Sequence, residues 1–140
     1  FAPRFAFLSH NDGLLLRLEE ATQQYGLAGH MVPGAYLELE YSVWPDLYGN
    51  PDQYVPSVLQ KAKEMVARGA DTLIASPLPL SMWLIKQGLT EIDGARVLDH
   101  FGCAIKMAEL MVDLAQIGIR RKKYTPPQRE LLTAIQELYK

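Results

Sequence analysis

Cysteine is almost absent from this chain of 140 residues. The single Cys103 excludes an internal disulfide and a cysteine-built zinc site, and it points to a reducing compartment, the cytoplasm being the expectation. No sign of charge dominates. With 14 Lys and Arg against 16 Asp and Glu, a net of -2, the chain lacks the basic excess of nucleic-acid-binding proteins, and nucleic acid is not an expected partner. Long apolar runs are missing as well. The longest uncharged stretch, Thr72 to Ile85, is too short to cross a bilayer and contains Pro77 and Pro79, so no membrane partner is expected. No signal peptide is visible. The first residue is Phe1 rather than Met, and an N-terminal part is expected to precede it. Neither a G-x-G-x-x-G sequence nor a P-loop is present, and no spaced His/Glu set predicts a metal, so no cofactor and no metal are expected.

What the chain does have is alternation. The apolar fraction of 49% suffices for a sizeable core, and residues 1–140 read as a single α/β domain. Arg4 to Ser9 (RFAFLS) has strand length and composition, and HNDG follows it as a polar loop. Leu14, Leu15, Leu18, Ala21, Thr22 and Tyr25 then repeat at helical spacing, with Arg17, Glu20 and Gln24 on the opposite side and Gly26 as the stop. Tyr36 to Tyr41 alternates like a half-exposed strand. Trp44, Tyr41, Tyr48 and Tyr54 surround Pro45 and Pro51 in what reads as an aromatic-rich loop. Asn50-Pro51-Asp52-Gln53 predicts a capped helix start, the helix running to about Arg68.

Residues 70–76 (ADTLIAS) form a third predicted strand, apolar on both faces. A short helix from Leu80 to Gln87, a fourth strand from Ala95 to Asp99 and a helix from Gly102 to Ile117 follow. Thr125-Pro126-Pro127-Gln128 predicts a last helix to about Tyr139, and Arg120-Arg121-Lys122-Lys123 before it reads as a solvated helix end or an anion site. This βαβαβαβα order predicts a parallel sheet of about four strands flanked by helices in three layers, with an added C-terminal helix.

In such a sheet, ligands bind beyond the carboxyl ends of the strands. The residues there are Ser9, His10, Asn11 and Asp12, then Ser76 and Pro77, then Asp99 and His100. Hydroxyls, imidazoles and a helix N-terminus from three loops suit a carboxylate or another small anion. Asn11, Asp12 and Asp99 read equally well as helix caps. Ser76 lacks the G-x-S-x-G elbow of a hydrolase nucleophile. Cys103 reads as a packing residue on the core-facing side of its helix.

The runs GADTLIAS, ARVLD and AIKMAELMVDLAQIGI followed by RRKKYTPP resemble the second half of the Asp/Glu/hydantoin racemase superfamily, the hydantoin and allantoin racemases in particular. The resemblance extends upstream to RFAFLSHNDGLLLRLEEATQQYG. It implies a flavodoxin-like fold and a cofactor-independent isomerase with two such halves facing each other, one cysteine from each on opposite sides of a small carboxylate, amino acid or ureide. Pro77 stands where the family has its cysteine, with Ser76 before it. His100, His10 and Asp99 are then the titratable groups left for acid–base chemistry, with Ser9, Asn11, Asp12, Ser76 and Pro77 as the ligand-binding set. A homodimer, or pairing with a missing N-terminal half, would complete the site. The alternative is a domain that binds a small anion, or serves in assembly, without catalysis.

Overall fold

The computed structural model describes residues 3–119. Strand β1 (Phe5–Ser9) leads into α1 (Asp12–Gln24), then β2 (Ala35–Tyr36), α2 (Trp44–Gly49), α3 (Pro51–Ala67), β3 (Thr72–Ser76), α4 (Leu78–Lys86), β4 (Glu91–Ile92), β5 (Ala95–Val97) and α5 (His100–Gln116). The basic cluster at 120–123 and the expected helix from Thr125 to Tyr139 lie outside the described residues. The chain divides into two compact units, Phe1–Ala104 and Ile105–Lys140. The sheet and every candidate site residue belong to the first. In the second, residues 105–116 continue α5, Lys106 pairs with Glu109 at 2.7 Å, and Gly118 (φ +89) follows the helix.

The five strands lie in the order β2-β1-β3-β5-β4. All neighbours are parallel except β4 with β5. β1 is paired on both sides: Phe5 to Ser9 stand opposite Thr72 to Ser76 of the central strand β3, and Leu8 and Ser9 stand opposite Ala35 and Tyr36 of β2. Side chains alternate between the two faces of a strand. Ala6 and Leu8 therefore share one face with Leu73, Ala75 and Val97, and this face carries the core with Val58, Ala62 and Met65 of α3 and Leu80, Trp83 and Leu84 of α4. Phe7, Ser9, Ile74 and Ser76 point to the other face.

The fold is the expected α/β class, a mostly parallel sheet flanked by helices; several local details differ from expectation. A fifth strand is present, because Asp93 (φ 47) and Gly94 (φ +85) form a tight reversal that pairs β4 back onto β5. The second strand is shorter than the alternation implies: Glu38 takes a positive φ of 55 and ends the ladder, although Leu37 and Leu39 still donate backbone N–H groups to the Ser9 and His10 carbonyls. The stretch expected as an aromatic loop contains α2, anchored where the Trp83 indole donates to the Leu47 carbonyl (2.8 Å) and the Tyr48 hydroxyl to that of Pro79 (2.8 Å). α5 starts at His100 rather than Gly102, and Cys103 is exposed instead of packed in the core.

Asn50 precedes α3 as expected, but its amide is turned onto the Asp46 carboxylate and makes no capping bond. Gly34 marks a close approach. A Cβ there would stand 2.6 Å from both the Phe7 carbonyl oxygen and Leu15 Cδ1, so only glycine lets the chain enter β2 this near to β1 and α1. Among the described residues, no helix is long and apolar enough to cross a membrane.

Candidate functional site

Strand order decides where a ligand fits. From β1 the chain passes through α1 to β2 on one side, then crosses over to β3 on the other. The connections thus diverge between the carboxyl ends of β1 and β3, which is the crevice where open α/β sheets bind ligands.

Ser9 and Ser76 are register partners at that crevice. Ser9 is fully buried, and its Oγ has no hydrogen-bond partner among the described residues. A buried hydroxyl without a partner costs stability, and such groups concentrate where a water or ligand belongs.

The next residue, His10, is 2% exposed. The Trp44 ring lies 5.8 Å from its own, tilted by 45°. Asn11 fixes its protonation. The Asn11 Oδ1 accepts the Leu14 backbone N–H (2.9 Å) as the cap of α1, which turns the Asn11 amide NH2 toward His10 Nε2 at 2.9 Å. Nε2 must then accept, and the proton of the neutral ring sits on Nδ1. Burial also pushes the His10 pKa below the ordinary histidine value. Asp12 turns its carboxylate back onto the Gly13 N–H (2.7 Å).

At the end of β3, the Ser76–Pro77 peptide is cis, and Pro77 precedes α4. The Pro77 carbonyl accepts the N–H groups of Leu80 (3.0 Å) and Ser81 (3.3 Å). Pro77 and Pro79 carry no N–H, so α4 offers few donors to an anion at its start. Ser81, one turn into α4, is buried, and its Oγ also lacks a partner among the described residues.

At the end of β5, Asp99 caps α5 by accepting the Gly102 N–H at 2.9 Å. His100 follows, half-buried, with Nδ1 shielded from solvent and without a partner among the described residues. Another histidine, His30, is tied through Nδ1 to the Pro3 carbonyl (3.0 Å).

Three depressions open along this end of the sheet. His10, Asn11, Gly13, Leu14 and Arg17 line one of 280 Å³. Asn11 and Asp12 line another of 370 Å³ with Tyr36, Glu38, Leu39 and Glu40. Asp99 lines a third of 310 Å³ with Lys86 and the apolar Met82, Ile85 and Phe101. Strand register brings Ser9 and Ser76 together, and His10, Asn11 and Asp12, which follow Ser9, line two of these depressions, which neither serine reaches; Asp99 borders a separate one. A larger hollow of 640 Å³ is lined by a single flank of α3. Among the described residues, no group of three or more His, Cys, Asp and Glu is placed to hold a metal.

No family model matches the sequence, and no curated protein matches it. Solved structures do. The chain shares its fold with a solved racemase. It superposes on allantoin racemase from Klebsiella pneumoniae with a TM-score of 0.68 at 19% identity, covering 91% of this chain and 53% of that one. The chain therefore spans about half the length of that enzyme, and the likeness is one of fold. In an open α/β sheet of this strand order, the β1 and β3 ends are where ligands usually bind.

Trp44 and Arg17 also border this edge. Trp44 opens α2 rather than lying in a loop; six helical residues with a proline at the second position carry no readable period. Arg17 is exposed, as its place on the solvent side of α1 implies, and its spacing from Gly13 and Leu14, four and three residues, puts all three on one face.

Proposed function

We propose that the chain is a racemase-type α/β domain that binds a small carboxylate, amino acid or hydantoin-type ligand at the carboxyl ends of β1 and β3. The observation that carries this reading is the buried, unpartnered Ser9 hydroxyl beside Ser76 at the crevice, next to the His10–Asn11 pair. Residues 1–140 act in it as one domain equivalent to half of such an enzyme.

The reaction class is proton abstraction alpha to a carbonyl. Ser9, Ser76 and the Asn11 loop hold the ligand's oxygen atoms, and hydrogen bonds to those atoms stabilise the enolate-like charge as it develops. His100 is the base, through its Nδ1; His10, kept neutral by burial, supplies a fixed hydrogen-bonding wall. Asp99 acts through position, holding the first turn of α5 and with it His100. Racemisation must return a proton to the opposite face, so a second half supplies the other wall. That half is a second copy of this chain or a further length of polypeptide, since the racemase of the same fold is about twice as long.

One observation favours a second reading, binding without turnover. Pro77 transfers no proton, and the sole cysteine is exposed on α5. Exchange of the Cα proton into deuterium oxide, followed by NMR over a panel of amino acids and hydantoins, separates the two. Exchange lost in His100→Ala supports the enzyme. Saturable binding with no exchange establishes the binding domain instead.

A further inference from the structure

The 280 Å³ depression beside His10 contains a charge that the proposed ligand set does not use. Arg17 stands one helical turn beyond Gly13 on the same face of α1, and with His10, Asn11 and Leu14 it lines the cavity. Its guanidinium makes no ion pair or hydrogen bond among the described residues, whereas Arg68 is tied to the Pro33 and Gly34 carbonyls and to Glu64. The missing side chain at position 13 leaves the space between Arg17 and Asn11 open: a Cβ there would have Asn11 Oδ1, at 3.9 Å, as its nearest neighbour. Across Asn11, the 370 Å³ depression is lined by Asp12, Glu38 and Glu40 and repels anions.

We infer that Arg17 is the residue that selects the ligand's charge: the site takes a carboxylate-bearing molecule, with the carboxylate on the Arg17 guanidinium, in preference to a neutral cyclic ureide. This rests on the binding site proposed above and narrows its ligand class. A guanidinium presents two parallel N–H groups that match a carboxylate, and a neutral ureide gains no charge-assisted bond there. The remaining atoms of a carboxylate ligand then extend past Gly13 toward His10 and Asn11, whose amide is already oriented by its capping bond. Arg17 is exposed, so the attraction is screened by solvent and salt.

Titration of the whole chain with sodium acetate, L-alanine and hydantoin, read by calorimetry and amide shifts, tests the inference. Acetate and L-alanine are expected to bind saturably, to weaken about tenfold in Arg17→Gln, and to weaken further as sodium chloride is raised. Gly13→Leu puts a side chain into the open space at position 13 and is expected to abolish carboxylate binding at an unchanged or higher melting temperature. Carboxylate binding altered less than twofold by Arg17→Gln overturns the assignment. Binding of hydantoin alone, lost in Ser9→Ala, overturns it while leaving the site between β1 and β3 in place. Binding of none of the three overturns both.

Discussion

Replacing Asn11 separates two jobs that its side chain performs at once. In Asn11→Ala the Leu14 N–H loses its cap, which costs about 1 kcal/mol, and buried His10 Nε2 loses its donor, about 1 kcal/mol more. A total of about 2 kcal/mol lowers the melting temperature by about 8 °C in a domain of this size. Asn11→Asp keeps the cap, because the two residues cap helices equally well, but it places a carboxylate where the amide donor was. An opposite charge at that range raises a histidine pKa by roughly 1–3 units. His10 should then titrate above its ordinary value of about 6.5 instead of below it.

The sign of the pH dependence inverts with this change. In the native chain the depressed pKa means that the unfolded state binds protons more readily; His10 contributes stability above pH about 6.5 that is lost as the pH falls toward the depressed value. In Asn11→Asp the contribution is present below pH about 6.5 and is lost as the pH rises through the raised value. Ring nitrogen shifts of the histidines followed against pH report both the tautomer and the titration. A proton on Nε2 in the native chain, or a His10 titration unmoved by Asn11→Asp, would refute the reasoning.

Three further outcomes are expected. Ser9→Ala removes a buried, unpartnered hydroxyl and should raise stability by about 1 kcal/mol in chemical denaturation while weakening ligand binding; a loss of stability would mean that the hydroxyl is satisfied in the native state. Trp83→Phe strips the Leu47 carbonyl of its buried donor and leaves a void, a loss of about 2–3 kcal/mol visible as a lower denaturation midpoint. Gly34→Ala drives a Cβ against the Phe7 carbonyl and should cost about 1–3 kcal/mol, with amide-shift changes centred on β2 and the start of α1.

The doubly wound framework was legible because its signals are local and repeated: apolar strand runs at Phe5–Ser9 and Thr72–Ser76, and helices closed by Gly26, Gly88 and Gly118, all with positive φ. The strand ends followed from topology alone, which is how Ser9, His10, Asn11 and Ser76 were found together. What escaped depended on backbone conformations that residue type specifies poorly. Glu38 shortens β2 with a positive φ that glutamate rarely adopts, whereas Asp93-Gly94 carried a readable turn signal in a strand of only two residues. Cys103 is exposed because no residue of α5 is buried, which the apolar spacing of that helix did not reveal. The burial of His10 beside Trp44 joins two segments more than thirty positions apart, which no local pattern encodes.

The central claim is that a small ligand binds at the carboxyl ends of β1 and β3. Amide shift perturbation during a titration with L-alanine, acetate and hydantoin tests it most directly. Saturable changes are expected to concentrate at Ser9 to Leu14 and at Ser76 and Leu78. Changes confined to the flank of α3 around Leu59 and Lys63, or no saturable change with any of the three, would contradict it.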